Sequence, residues 1–481
     1  MNRFRFATYT SNLCNSPTFM TWASHLSRSL SLLIVLPLIL HNFSAEEISL
    51  WYLLSTVVAL QSLVDMGFAP TFARSIAYAV GGASKLEDFS NSSHIESLGS
   101  TNWALLERIC STMKVIYFRL GLMYSIALTM IGTAFLYHPI SLLQNPSEGW
   151  TAWAIVIASS AITFWNAAYT SYLQGVNEIS RFRRWETLVI LLSIFSNFSV
   201  LLFNGNLWML VLSSQVWSLV GTWVYYRLCC DVLDKRFQSF ETKGIDKPVF
   251  EVVWRGAWRS GVGMAMSQGV VQLTGIFYAQ VGNVKEVASY LFSLRFAQTI
   301  TYFSQAPFYT KLPILASMRS GGKIMELLQI ARRGMSLSYI VYALGFCITG
   351  LTVYPALSMI QSNVEFVQPD FWSLLAWAFF TERFGAMHLQ LYTISNNVIW
   401  HIANGISGLL NIGFMIVLFQ YAGVYAFPLS MLLSNLLFYS WYTARFSYKE
   451  YPRNFFSFER ETSAIAFAVL SVYTLYVFVK Y

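Results

Sequence analysis

Between Phe384 and Ala444 the chain runs 61 residues without an Asp, Glu, Lys or Arg. A helix needs about 20 apolar residues to cross a bilayer, so this one stretch holds most of three crossings. Similar apolar runs fill the rest of the 481 residues, of which 56% are apolar and 11% charged. A soluble domain carries about 25% charged residues. A soluble enzyme, a disordered chain and a secreted disulfide scaffold are therefore excluded. The fold class expected is an all-α polytopic membrane protein. Five cysteines, at 14, 110, 229, 230 and 347, ask for no disulfide in reducing or lipid surroundings, and adjacent Cys229 and Cys230 form no CxxC pair.

The apolar runs predict helices at 20–41, 48–72, 116–137, 150–173, 187–204, 207–226, 260–281, 287–310, 334–357, 371–395, 400–420 and 423–443, with a thirteenth candidate at 463–479. Asn204-Gly205-Asn206 is a tight-turn signal that makes 187–226 a helical hairpin. With the N-terminus in the cytoplasm, 24 of the 31 Lys and Arg fall on inside segments and only Lys285 and Lys480 outside. That bias sets the expected orientation, and it accounts for most of the net charge of +8 without any nucleic acid partner. The outside loops are short, which leaves no room for a catalytic domain there.

The segment 227–259 is the most charged of the chain and reads as a cytoplasmic linker. The expected domains are a six-helix lobe at 1–226, the linker, a second six-helix lobe at 260–446, and a tail at 447–481. Shifting the sequence by about 237 residues aligns Trp22 with Trp258, Glu47 with Glu286, and Ala69-Pro70 with Ala306-Pro307. An internal repeat of this kind predicts two pseudo-symmetric lobes around a central cavity. Pro70 and Pro307 are read as kinks or gates, because each removes a backbone hydrogen bond within an expected helix.

Six ionisable residues lie within the expected spans: Arg28, Asp65, Arg119, Arg295, Glu382 and Arg383. A lone charge in lipid costs on the order of 3 kcal/mol or more, so each should face protein or a water-filled cavity. Arg119 reads as an interfacial residue that snorkels. Arg28, Arg295 and Arg383 are the candidate substrate-binding cations, suited to an anionic group such as a pyrophosphate. Asp65 and Glu382 are candidate coupling or structural carboxylates, and Asp65 is also a candidate partner for Arg28. Glu382 and Arg383 are sequence neighbours, about 100° apart on a helix, and are not expected to face one partner together. His388 and His401 could serve a proton relay but more often such residues are structural. No motif asks for a metal or a cofactor.

Helix 2 ends Asp65-Met66-Gly67-Phe68-Ala69-Pro70-Thr71-Phe72-Ala73-Arg74, followed by Ala77-Tyr78-Ala79 and Gly81-Gly82. Helix 4 ends Gln174-Gly175-Val176-Asn177-Glu178 before a basic run. These segments resemble the polysaccharide (O-antigen-type) flippases of the multidrug/oligosaccharidyl-lipid/polysaccharide exporter superfamily. The long segment 80–114 and the tail beyond 446 depart from that pattern. The resemblance implies a bacterial inner-membrane flippase, not an enzyme, that moves undecaprenyl-pyrophosphate-linked oligosaccharide across the membrane and is driven by an ion gradient. It implies a polysaccharide polymerase and a chain-length regulator as candidate partners, beside the substrate and membrane lipids. The alternatives are a multidrug or small-metabolite exporter of the same fold, which should carry acidic cavity residues, and a membrane enzyme. For the enzyme, Glu46-Glu47 is the only outside carboxylate pair.

Overall fold

The computed structural model describes residues 17–82, 100–242, 244–320, 323–395 and 399–480. Arg3, Arg5, Cys14 and Lys85, and the side chain of Trp22, lie outside the described residues. Every regular element among the described residues is helical. The chain forms two compact units, Met1–Gly261 and Val262–Tyr481.

The first unit contains α1 (Pro17–Asn42), α2 (Ala45–Ala59), α3 (Gln61–Val64), α4 (Phe68–Val80), α5 (Trp103–Ala127), α6 (Thr133–Ser141), α7 (Pro146–Thr163), α8 (Asn166–Gly175), α9 (Ile179–Leu202) and α10 (Leu207–Asp231). Helix α11 (Lys247–Met264) carries the boundary residue Gly261. The second unit contains α12 (Val270–Val281), α13 (Val284–Ser304), α14 (Ala306–Tyr309), α15 (Leu312–Ser320), α16 (Ile324–Met359), α17 (Pro369–Thr393), α18 (Trp400–Ala422), α19 (Ala426–Ser434), α20 (Ser440–Glu450), α21 (Phe455–Thr462) and α22 (Ala464–Lys480).

Six helical runs among the described residues are long and apolar enough to cross a bilayer. One of them, Trp400–Glu450, folds back at Gly423 so that α18 packs on α19, which makes two crossings of one apolar run. The outer faces are greasy because lipid is their solvent: Phe118, Leu122, Met123, Ile126 and Met130 are all exposed along α5 and the turn after it.

Several expected single helices are broken. The predicted helix 48–72 becomes α2, α3 and α4, and 287–310 becomes α13 and α14. The break before α4 is at Met66 and Gly67, with φ of 49° and 73°, where the chain leaves the right-handed region. A Cβ on Gly67 would also sit 2.5 Å from Ser260 Cβ, so glycine permits both the turn and the close approach of α11. Pro70 then lies in the first turn of α4, and Pro307 in the first turn of α14, where a missing N–H costs nothing. They start new helices after a break rather than kinking a continuous one. Glu47 and Glu286, matched by the internal repeat, occupy the same third position of α2 and α13.

The segment 227–259 is folded rather than loose. It folds onto the first unit through Arg108–Asp246 at 2.7 Å and through Lys114 Nζ, which donates to the carbonyls of Phe237 and Phe240. The tail is equally well held. Trp377 Nε1 donates to Thr474 Oγ1 at 2.9 Å, Phe467 stacks edge-on against Trp377, and Tyr473 lies against Gly350. At the other end Glu461 pairs with Arg332 and Glu459 with His388. The pair α21–α22, bent by 60°, therefore runs beside α16 from residue 332 to residue 350, about 27 Å at 1.5 Å per residue. That is close to the thickness of the hydrocarbon core.

Candidate functional site

The second unit holds a part-open cavity of about 260 Å³, lined by polar and apolar side chains, at the level of Glu382 and Arg383. Its walls come from α13, α17, α18 and two π-helical turns, Ala265–Gly269 and Asn435–Tyr439. A π turn inserts one residue into a helix and re-aims its side chains, and such turns gather at functional sites. Here the first delivers Gln268 to the cavity and the second delivers Asn435 and Tyr439. Helix α18 approaches the first π turn closely because residue 408 is glycine: a Cβ there would lie 2.6 Å from Met266 Cβ.

Arg383 is only 3% exposed. Its Nη1 donates to Gln305 Oε1 at 3.3 Å, and its Nη2 lies 3.7 Å from Glu382 Oε2. Its Nε, and the Glu382 Oε2 atom, are buried without a hydrogen bond among the described residues. The expectation that these neighbours face apart is overturned. Both line the same cavity, because their side chains are long enough to converge across the 100° between their Cα positions. Around them the wall is rich in carboxamides. Asn411 Oδ1 accepts from Ser430, and Asn435 Oδ1 from Ser407, while the amides of Gln298 and Asn404 make no hydrogen bond among the described residues.

Arg295 is exposed on α13, three residues before Gln298 and seven before Tyr302, which puts all three on one helix face. Arg28 and Asp65 belong to the first unit. Arg28 is paired with Glu186 at 2.6 Å, not with Asp65. Glu186 also accepts from Ser24 Oγ at 2.5 Å and pairs with Arg183 at 2.7 Å. The Arg28 side chain stays 55% exposed. Asp65 is a buried structural acceptor instead: Tyr117 O–H donates to Oδ1 at 2.5 Å and the Ala69 N–H to Oδ2 at 3.0 Å, which caps the first turn of α4. Buried His388 meets Glu459 at 3.2 Å and packs on Phe384 and Tyr448, a structural tie between α17 and the tail.

Sequence reading missed Glu186, Glu459 and the amides. Glu186 sits one residue before the expected span in a run of arginines and looks like part of a solvated face. Gln and Asn carry no charge and do not interrupt an apolar pattern, so nothing marked Gln268, Gln298 or Asn404.

No family model matches the sequence, and a search of curated proteins finds no relative. Solved structures are informative. An inward-facing multidrug resistance MATE family transporter of the MOP superfamily superposes with a TM-score of 0.63 at 10% identity, over 92% of this chain and 97% of that one. The lipid II flippase MurJ, in an inward closed conformation, gives 0.61 at 13% identity, over 94% and 92%. A MATE structure in a bent conformation gives 0.53 at 12% identity, over 94% and 98%. This chain therefore shares the multi-span helical fold of these MATE transporters and of the lipid II flippase MurJ.

Proposed function

We propose that this chain is a flippase for undecaprenyl-pyrophosphate-linked oligosaccharide units of an O-antigen or related surface polysaccharide. The supporting observation is Arg383, buried in the middle of α17 in an amide-lined cavity, with a guanidinium N–H left over for a ligand. Burying an unpaired donor of that kind costs free energy unless something meets it. Arg28 and Arg295, both exposed, are the cations offered to the pyrophosphate, which a guanidinium can bind bidentately. Glu382 is the carboxylate offered to an ion gradient, while Asp65 is committed to its cap. The protein sits in the bacterial inner membrane with its N-terminus in the cytoplasm, and it passes its product to a polymerase and chain-length regulator.

The alternative is a multidrug or small-metabolite exporter, since the same fold serves both. An organic cation entering the cavity would meet Arg383 beside Glu382, a locally balanced pair that offers it no net attraction. Arg383→Ala tests the reading in cells. Surface polysaccharide should be lost while the protein remains in the membrane. Unchanged polysaccharide would contradict the flippase role.

A further inference from the structure

The cavity of the second unit is chemically unlike a phosphate site. Its one guanidinium already has a carboxylate at 3.7 Å, so its charge is balanced locally. An incoming pyrophosphate would gain Arg383 but be repelled by Glu382 at almost the same distance. What remains available is neutral and bifunctional. Asn404 is 5% exposed and Asn411 9% exposed; the first makes no hydrogen bond among the described residues, and the second uses only its carbonyl oxygen. Gln298 is likewise uncommitted, and Tyr302 and Trp400 add aromatic surface.

A carboxamide presents a donor and an acceptor in one plane, which is what a pair of neighbouring hydroxyl groups requires. The aromatic faces suit the C–H face of a ring whose rim carries the hydroxyls. At about 30 Å³ per water, the cavity has room for roughly nine waters, the scale of one hexose with roughly twelve non-hydrogen atoms.

We propose that this cavity binds one sugar residue of the glycan, through Asn404, Asn411 and Gln298, separately from the cations that meet the pyrophosphate. The proposal rests on the flippase reading and assigns the glycan to a site inside the second unit. Recognition there is by hydroxyl pattern.

The test uses the full chain purified in detergent, with glucose, N-acetylglucosamine and glucuronate as separate probes and undecaprenyl pyrophosphate as a fourth. At least one saccharide should raise the melting midpoint. Asn404→Leu and Gln298→Leu, which keep the volume and delete the hydrogen bonds, should each weaken that saccharide by roughly tenfold. Both variants should bind undecaprenyl pyrophosphate like the parent, which also shows that they fold. If no saccharide binds, or both variants bind it unchanged, the cavity is a hydrated packing feature and the sugar site is wrong. If saccharide binding depends on Asn404 but undecaprenyl pyrophosphate does not bind at all, the sugar site survives and the flippase reading fails.

Discussion

Arg28 and Glu186 are joined at 2.6 Å, and Glu186 is the shared acceptor of Arg28, Arg183 and Ser24. This cluster ties α1 to α9, whose packing is among the most extensive in the first unit. Glu186 is the more buried partner, with a side chain 10% exposed. Glu186→Ala should therefore cost about 1–3 kcal/mol, because two guanidinium groups lose their acceptor together.

Arg28→Ala should cost less, about 0.5–1 kcal/mol, since Glu186 keeps Arg183 and Ser24. Thermal melts of the single and double variants form a cycle. Arg28 and Glu186 should couple, whereas Arg28 and Asp65 should be additive within about 0.5 kcal/mol. Coupling of Arg28 to Asp65 instead would overturn the assignment.

Asp65 should behave as a cap. Asp65→Ala removes the acceptor for the Ala69 N–H and for the Tyr117 hydroxyl, and should lower stability by about 1–3 kcal/mol. Asp65→Asn keeps one carbonyl oxygen and should retain a large part of it. Equal transport by the folded Asn variant and the parent would agree with a structural role; loss of transport at full stability would make Asp65 a coupling site.

The Arg108 hydrogen bond holds the Asp246 carboxyl below the usual carboxylate range. A lowered folded-state value stabilises the fold above the ordinary carboxyl pKa, and this contribution disappears as pH falls through the folded value. Both side chains are part-exposed, so the effect is about 0.2–1 kcal/mol. Melting curves between pH 7 and acid should lose that increment in the parent and not in Asp246→Asn. Identical acid sensitivity of the two would contradict the pairing.

The tail prediction concerns sidedness. Helices α21 and α22 run from the Arg332 end of α16 to its Gly350 end, toward the loop 358–370. A reporter fused after Lys480 should therefore fall on the same side of the membrane as one inserted in 358–370. Opposite signals would put α22 on the surface rather than across the bilayer.

Much of this architecture is legible from apolar run lengths, which report directly on a bilayer. Glu47 and Glu286 take matching positions in their helices, and Pro70 and Pro307 open matching restarts. Breaks inside apolar runs are harder to see. Gly67 breaks its helix because α11 packs against it, a tertiary cause invisible to local pattern. Charged residues announce themselves, but their partners do not: Arg28 was visible, while Glu186 was hidden among its neighbouring arginines. The cavity was the least legible part, since Gln298, Asn404 and Asn411 look like ordinary polar residues of apolar helices until the fold places them around one cavity.

The central claim is that the protein moves a glycan-bearing lipid pyrophosphate and recognises it in part through Arg383. The direct measurement is flipping in proteoliposomes, with a short undecaprenyl-pyrophosphate-linked oligosaccharide on the donor side and an impermeant glycan-modifying probe on the other. The parent protein should deliver substrate to the probe, and folded Arg383→Ala should slow delivery by roughly tenfold or more, the loss expected when a buried charge-assisted contact is removed. No delivery by the parent, together with uptake of an organic cation by the same vesicles, would contradict the account and favour a drug exporter of the same fold.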